Sequence, residues 1–170
     1  MAALSTAQPV QAAAPQMKKK VVVFGGMQRD LKVYYGLVPR PLDSQATARL
    51  HSHADQIMAG LCFLHANSVY HRDLKPANIL TDDLGNIRIC DFGQANYYAP
   101  GRCQTMCVGT LWYRAPEILK GEAYDLRVDV WSLGCTLVEI TTGRFLYPYD
   151  NEASQIAQIS LSNPLIRHAA

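Results

Sequence analysis

The stretch HRDLKPAN, His71–Asn78, places charged and amide side chains close together outside any regular apolar pattern. Asp73 supplies a carboxylate, Lys75 an ammonium group and Asn78 an amide oxygen, and Asp91 follows a predicted strand shortly afterwards. Phosphoryl transfer depends mainly on positioning and on neutralising charge at the transferring oxygens, which these groups suit. Mg²⁺ prefers one or two protein oxygens plus phosphates, which Asn78 and Asp91 can provide. Taken singly, each residue would be interpreted as a solvated loop charge or a turn former.

A helix is predicted before this loop and a hairpin after it. From Ser44 onward apolar residues recur at spacings of three and four, with Asp43 or Ser44 as the N-cap and Asn67 beyond the end. The apolar stripe consists of Leu50, Ala54, Ile57, Met58, Leu61 and Leu64. Ile79–Leu80 and Ile87–Cys90 are strand candidates, and the TDDLGN between them favours a hairpin turn.

Three further elements are predicted away from the loop. Val21–Phe24 is β-branched and aromatic and is followed by two glycines, which suits a buried strand entering a turn. A polar connector containing prolines comes next. The segment RVDVWSLGCTLVEITTG is apolar nearly all round, so we expect a central helix that ends before Gly143. A short helix is expected over Glu152–Leu161.

Length and charge favour one domain without a nucleic-acid or membrane partner. The chain has 170 residues, enough for a single ordinary core. Its 16 Lys and Arg nearly balance 14 Asp and Glu, and its apolar stretches are shorter than a membrane span. Residues 1–19 are rich in Ala, Gln and Pro, which predicts a low-complexity disordered leader; residues 20–170 are assigned to the domain. A signal peptide is not indicated, and a transit peptide would require arginines that this segment lacks.

The cysteines indicate reduced thiols and an intracellular location, in cytoplasm or nucleus. They are Cys62, Cys90, Cys103, Cys107 and Cys135. Their number is odd and no CxxC pair occurs. Cys103 and Cys107 could hold a metal, but the second pair of ligands that a structural site needs is missing.

Three motifs together resemble the signature set of the protein kinases. HRDLKPAN is followed by DFG at Asp91–Gly93 and then by APE at Ala115–Glu117, in the kinase order. The resemblance implies an α+β protein-kinase-like fold, consisting mostly of the α-helical large lobe with a remnant of the hinge. It also implies ATP and Mg²⁺ as cofactors. Further, it places Phe24 at the adenine pocket and Met27 at the hinge.

The resemblance also implies a role for each residue of the loop. Asp73 accepts the proton of the substrate hydroxyl and Lys75 contacts the γ-phosphate. Asn78 and Asp91 hold the metal. A lysine two residues after the catalytic aspartate is the serine/threonine pattern of the family. Thr110 resembles the threonine that braces Asp73 and Lys75 in such kinases.

A longer match resembles one group within the family. GTLWYRAPEIL, Gly109–Leu119, resembles the cyclin-dependent and related proline-directed kinases. This implies protein substrates with Ser or Thr followed by Pro, a cyclin-like activator, and Trp112 and Arg114 as substrate-binding residues. Thr105 lies where that group carries an activating phosphothreonine, and Arg72 would order the loop around such a phosphate. Alternatively, Thr105 is only a flexible polar residue.

Two other acidic residues are matched to the family. DVWSLG resembles the buried helix whose aspartate, here Asp129, ties down the catalytic-loop backbone. Asp129 can equally serve as an N-terminal helix carboxylate, and both interpretations can hold. Glu117 of the APE motif lacks a candidate for the arginine that pairs with it in the family, so we expect it to be unpaired.

The resemblance begins at the hinge, which leaves two interpretations of function. Neither a GxGxxG loop nor a lysine in a V-A-I-K context stands before Val21, so we expect the small lobe to be largely missing and the domain to be truncated at both ends. The first interpretation is a partial serine/threonine kinase domain. The alternative is a catalytically inactive kinase-like binding module.

Overall fold

The structure is a computed structural model that describes residues 29–36, 43–101, 104–105 and 107–162. The predicted leader at residues 1–19 and the predicted strand Val21–Phe24 lie outside these residues. The helices are α1 (Leu31–Tyr35), α2 (Ser44–Ala66), α3 (Pro116–Leu119), α4 (Arg127–Thr142) and α5 (Glu152–Ser162). The strands are β1 (Arg29–Asp30), β2 (Val69–Tyr70), β3 (Ile79–Thr81), β4 (Ile87–Ile89) and β5 (Asn96–Tyr97). Among the described residues no helix is long and apolar enough to cross a membrane.

Helix α2 has the bounds and the caps that the sequence predicts. The Asp43 Oδ1 atom accepts a hydrogen bond from the Ala46 N–H at 2.6 Å, which satisfies an otherwise unpaired donor of the first turn. Asn67 is the C-cap residue. The apolar stripe is buried at Ile57 and Leu61, which pack in the core, and its other members are partly buried except Met58, which is 41% exposed. The helix therefore ends shortly before the loop that contains His71–Asn78.

The predicted hairpin is formed by strands β3 and β4. The two strands pair antiparallel, with Ile79 opposite Ile89, and β1 joins the outer side of β3. In the turn the Asp82 Oδ1 atom accepts the N–H groups of Leu84 and Asn86 at 2.9 and 2.8 Å. In a second antiparallel pair β2 lies just before the loop His71–Asn78 and β5 lies after the hairpin in the chain. The loop His71–Asn78 therefore lies between a strand of one sheet and a strand of the other.

Helix α4 lies at the centre of the fold, as its apolar sequence predicts. Leu133 and Ile140 pack in one core cluster with residues of α1, α2, β3 and β4, while Val128 packs in a second cluster. Gly143 has φ 69° and donates its N–H to the Glu139 carbonyl, which ends the helix. Helix α5 extends one residue beyond the predicted end.

Two kinds of element were missed by the sequence prediction. Helix α1 lies in the segment interpreted as a polar connector; its Leu31 is fully buried, and Asp30 caps it by accepting the Val33 N–H at 2.8 Å. Strands β1, β2 and β5 have two residues each and helix α3 has four, which are too few for a periodic pattern. Tertiary packing selects these conformations, and segments this short show no sequence pattern that would predict them.

Candidate active site

The backbone of the loop after β2 is fixed from below by one buried carboxylate on α4. Asp129 has no exposed surface; its Oδ2 atom accepts the His71 N–H and its Oδ1 atom the Arg72 N–H, both at 2.8 Å. His65 of α2 contacts Oδ2 through Nε2 at 2.9 Å. Arg72 has φ 67°, a left-handed conformation that these bonds hold in place. Asp129 thus ties down the loop, as expected for this helix.

Asp73 lies within a set of four side-chain and backbone donors. Its Oδ1 atom accepts the Thr110 N–H at 2.9 Å and the Thr110 hydroxyl at 2.7 Å. Its Oδ2 atom accepts Lys75 Nζ at 3.0 Å and Asn78 Nδ2 at 3.2 Å. Burial raises the pKa of Asp73, but the hydrogen bonds from Thr110 and Lys75 and the lysine charge outweigh it, so the pKa lies below its ordinary value. The carboxylate is therefore ionised at neutral pH.

Lys75 is placed to serve both Asp73 and an incoming anion. Its Nζ atom lies 3.0 Å from Asp73 Oδ2 and 2.8 Å from the Thr110 hydroxyl oxygen. An ammonium group carries three donor hydrogens, so one remains beyond these two contacts. The side chain is 24% exposed, which lets that hydrogen reach a ligand. The predicted brace between Thr110, Asp73 and Lys75 is present in the structure.

Asn78 and Asp91 are brought to neighbouring positions by the hairpin. The Cys90 N–H donates to the Asn78 carbonyl at 2.9 Å, so Asp91 directly follows the residue opposite Asn78. Asn78 Nδ2 donates to the Asp73 carbonyl at 2.8 Å, which leaves the amide oxygen without a donor among the described residues. Asp91 is exposed and has the left-handed φ and ψ of 58° and 69°. An amide oxygen and a carboxylate suit Mg²⁺, whose remaining ligands are phosphates and water.

Arg72 and Thr105 are brought into one cluster, but not by direct contact. The Arg72 guanidinium donates through Nε to the Gln94 carbonyl at 2.6 Å and through Nη1 to the Tyr124 hydroxyl at 3.0 Å. The same hydroxyl donates to the Thr105 carbonyl at 2.7 Å. The sequence reasoning missed Tyr124, because a single tyrosine in the segment GEAYD carries no motif.

The two predicted substrate-binding residues have different surroundings. Arg114 donates through Nε to the Gly109 carbonyl at 3.0 Å and pairs through Nη1 with Glu152 of α5 at 2.5 Å. Trp112 stacks on Phe145 with centroids 4.3 Å apart, so its ring packs against the segment after α4. Arg114 alone of the two is therefore tied to the loop beside Asp73.

A buried acid near the loop was also missed by the sequence reasoning. Glu139 of α4 is 4% exposed and accepts a short hydrogen bond from the Tyr113 hydroxyl. Burial raises the pKa of Glu139, and the Tyr113 hydrogen bond lowers it by less. Two residues spaced this far apart in the chain give no sequence signal of their contact.

Several predicted features lie partly or wholly outside the described residues. Phe24 and Met27 are not described, nor is Cys103. The other four cysteines are free, and the described part of the chain contains no cluster of three metal-binding side chains. Glu117 is partly buried, and within the described ranges it forms no ion pair.

The loop anchored on the central helix thus brings together Asp73 and Lys75, which both bond Thr110, and two oxygens of the kind that Mg²⁺ prefers. A protein-family model described as "Protein kinase domain" matches residues 28–168. The chain therefore belongs to the protein kinase family. Its described part is mostly helical with small sheets, which confirms the predicted fold.

Named relatives agree with the group indicated by the sequence. The chain is 42% identical over 139 residues to "Cyclin-dependent kinase 20" of Rattus norvegicus, covering 80% of this chain and 39% of that protein. It is 41% identical over 142 residues to the Homo sapiens protein of the same name, covering 82% and 40%. It is 40% identical over 141 residues to "Cyclin-dependent kinase 4" of Xenopus laevis, covering 83% and 44%. The chain thus spans about two fifths of the length of these relatives.

Proposed function

We propose that this chain is the partial catalytic domain of a serine/threonine protein kinase that transfers the γ-phosphate of ATP to protein hydroxyl groups. The observation that carries the proposal is the position of Asp73. Its carboxylate accepts hydrogen bonds from Lys75 and Thr110, which also bond each other, in one part-buried site. An ionised carboxylate beside an ammonium group is the pairing that the reaction needs. Residues 20–170 form this domain in the proposal, after a leader at residues 1–19.

Each residue of the site has one task in the proposed mechanism. Asp73 orients the substrate hydroxyl and takes its proton as the oxygen bonds to the γ-phosphorus, while the bond from that phosphorus to the bridging oxygen breaks and ADP leaves. Lys75 donates its remaining hydrogen to a γ-phosphate oxygen, which neutralises charge where it develops. Asn78 and Asp91 hold Mg²⁺, and the bound ion would neutralise the phosphate oxygens. Phe24 and Met27 border the adenine in this proposal.

A preference for proline after the target residue is supported by Gly109. Its carbonyl already accepts the Arg114 guanidinium at 3.0 Å, and its φ of 77° fixes that orientation. A substrate backbone N–H that met this position would therefore have to share an acceptor whose orientation the Arg114 bond already sets. Proline has no N–H group to leave unsatisfied. Trp112 contributes to the same surface by holding its rim through the Phe145 stack.

Regulation and partners follow from the group that the chain resembles. We place an activating phosphate on Thr105, with Arg72 as its partner, because both belong to one hydrogen-bonded cluster. A cyclin-like activator is proposed from the names of the relatives. An intracellular location, in cytoplasm or nucleus, is proposed on the same ground and on the free cysteines. Nucleic acid and membranes are not among the proposed partners.

Two measurements test the enzyme against a kinase-like binding module. Calorimetry with ATP should detect binding to the chain that is weak and requires Mg²⁺, and Asp91→Asn should reduce it further. A fusion that adds a small lobe with a glycine loop and lysine, together with C-terminal helices, should phosphorylate Ser-Pro and Thr-Pro peptides. In that fusion Asp73→Asn should lower turnover by about a hundredfold or more. A fusion that folds, binds ATP and stays inactive would favour the binding module.

A further inference from the structure

One tyrosine outside the family motifs connects the catalytic loop to the loop that carries Thr105. The Tyr124 hydroxyl accepts a hydrogen bond from Arg72 Nη1 at 3.0 Å and donates its own hydrogen to the Thr105 carbonyl at 2.7 Å. Its donor and one acceptor position are thus both in use. Arg72 and Thr105 are 33 residues apart in the numbering, and this hydroxyl bridges them. No other described side chain has hydrogen bonds to both residues.

The bridging hydroxyl is held in position by aromatic packing. Tyr124 is 5% exposed, and its ring lies 5.9 Å from the Tyr70 ring, centroid to centroid. The Arg72 guanidinium lies over the same Tyr70 ring at 5.0 Å, which adds a cation–π contact. Tyr70 itself belongs to β2, directly before the loop. Burial and these ring contacts fix the position of the Tyr124 side chain, so its hydroxyl lies between both partners.

The guanidinium of Arg72 has further donors to offer. It is 8% exposed, and its described partners, the Gln94 carbonyl and the Tyr124 hydroxyl, occupy Nε and one hydrogen of Nη1. A guanidinium carries five N–H donors, so three remain for an anion. The guanidinium is therefore oriented before any phosphate arrives, so phosphate binding costs less conformational entropy of the Arg72 side chain.

We propose that Tyr124 is a positioning residue that holds the Thr105 segment against Arg72 and orients the guanidinium for a phosphate on Thr105. The part of this inference that concerns phosphate rests on the proposed regulation of the kinase. The part that concerns the loop does not, since it follows from contacts of the unmodified chain. The two parts are therefore tested separately.

The first experiment measures ¹⁵N relaxation of the unmodified chain. Tyr124→Phe keeps the ring but removes both hydrogen bonds, so the backbone order parameters of Gln104, Thr105 and Cys107 should fall toward the values below about 0.6 of flexible backbone, while those of α2 are unchanged. Tyr70→Phe is the matched control, because the Tyr70 hydroxyl has no hydrogen bond among the described residues. Unchanged order parameters at these residues, or the same fall in both variants, would overturn the inference.

The second experiment titrates phosphate by ³¹P NMR on the chain carrying phosphothreonine at 105. The second pKa of this phosphate, ordinarily about 6, should be lowered in the unsubstituted protein by the charge of Arg72. Tyr124→Phe and Arg72→Lys should both raise that pKa, whereas Tyr70→Phe should leave it unchanged. A phosphate that titrates normally in the unsubstituted protein would count against the proposed regulation. A lowered value that Tyr124→Phe does not raise would count against the role of Tyr124.

Discussion

The carboxylate of Asp129 accepts the backbone N–H of Arg72 at 2.8 Å, across 57 residues of sequence. The same carboxylate also accepts the His71 N–H, so the loop is fixed by its backbone. Side chains of the loop remain free for other tasks: Arg72 reaches Tyr124, and Asp73 reaches Thr110. Asp129 on the central helix thus stabilises the loop through its backbone, and the loop side chains are available to form the site.

Asp129→Asn should destabilise the protein by roughly 2–4 kcal/mol. The amide keeps one acceptor oxygen but turns an NH₂ group toward a backbone N–H that now lacks a partner. Chemical denaturation gives the free energy of unfolding directly. Asp125→Asn is the control, since Asp125 pairs with an Arg127 that is 85% exposed; it should cost about 1 kcal/mol or less. Equal losses in both variants would contradict the anchoring role.

Two glycines should respond to alanine in opposite directions. Gly109 has φ 77°, and a Cβ atom there would lie 2.3 Å from the Arg72 carbonyl oxygen, so Gly109→Ala should cost more than about 2 kcal/mol. Gly134 lies exposed on α4, and a Cβ atom there would meet nothing within 4 Å. Gly134→Ala should therefore stabilise by about 0.5–1 kcal/mol. Thermal melting of both variants checks the signs.

The longer elements could be predicted because their signals are local. Helix α2 carries its own cap and stripe, and the β3–β4 turn carries an Asx residue that accepts two backbone N–H groups. Helix α4 is apolar nearly all round, which predicts its central place. Helix α1 and strands β2 and β5 are too short for any period to be detected, so packing alone decides them.

The candidate site divides in the same way. The positions of Asp73, Lys75 and Thr110 followed from a resemblance to known motifs, and the structure brings these residues together. Tyr124 and Glu139 belong to no motif. Their partners lie 19 to 52 residues away in the chain, and only the fold makes them neighbours.

Tyr113→Phe should destabilise the protein by about 1–3 kcal/mol, because it leaves the buried Glu139 carboxylate without its hydroxyl donor. Adding Glu139→Gln to this variant should recover part of the loss, since a neutral amide is less costly to bury. A double-mutant cycle measures the coupling. Tyr97→Phe, at a side chain that is 46% exposed, is the control and should change stability by less than about 0.5 kcal/mol. Additive effects would mean that the pair is not coupled.

His53 should make the protein less stable in mild acid. It is 2% exposed and contacts the Tyr35 hydroxyl through Nδ1 at 2.8 Å. Burial and then the charge of Arg49 lower the pKa of His53, so folding favours its neutral form. The stability from this residue is present above the unfolded pKa of about 6.5 and is lost as pH falls toward the folded pKa.

Unfolding measured from pH 7.5 to 5 should therefore show a decline that His53→Gln reduces. His51→Gln, at an exposed position two residues earlier on α2, is the matched control and should keep the full decline. If the two variants follow the same curve, the acid sensitivity arises elsewhere.

Thr110→Ala should raise the pKa of Asp73, since the hydroxyl hydrogen bond to Oδ1 is one of the causes that lower it. Thr110→Ser keeps that donor and should preserve the low pKa. A lowered pKa contributes stability above the unfolded value, which is lost as pH falls through the folded value, so Thr110→Ala should lose less stability than the unsubstituted chain between about pH 5 and 2. A ¹³C titration of the carboxylate follows Asp73 directly.

In the completed kinase fusion, Lys75 would also lose an acceptor, and turnover should fall by about tenfold or more for Ala but little for Ser. If the Ser and Ala variants behave alike in the ¹³C titration and in the turnover assay, Thr110 does not brace Asp73 through its hydroxyl.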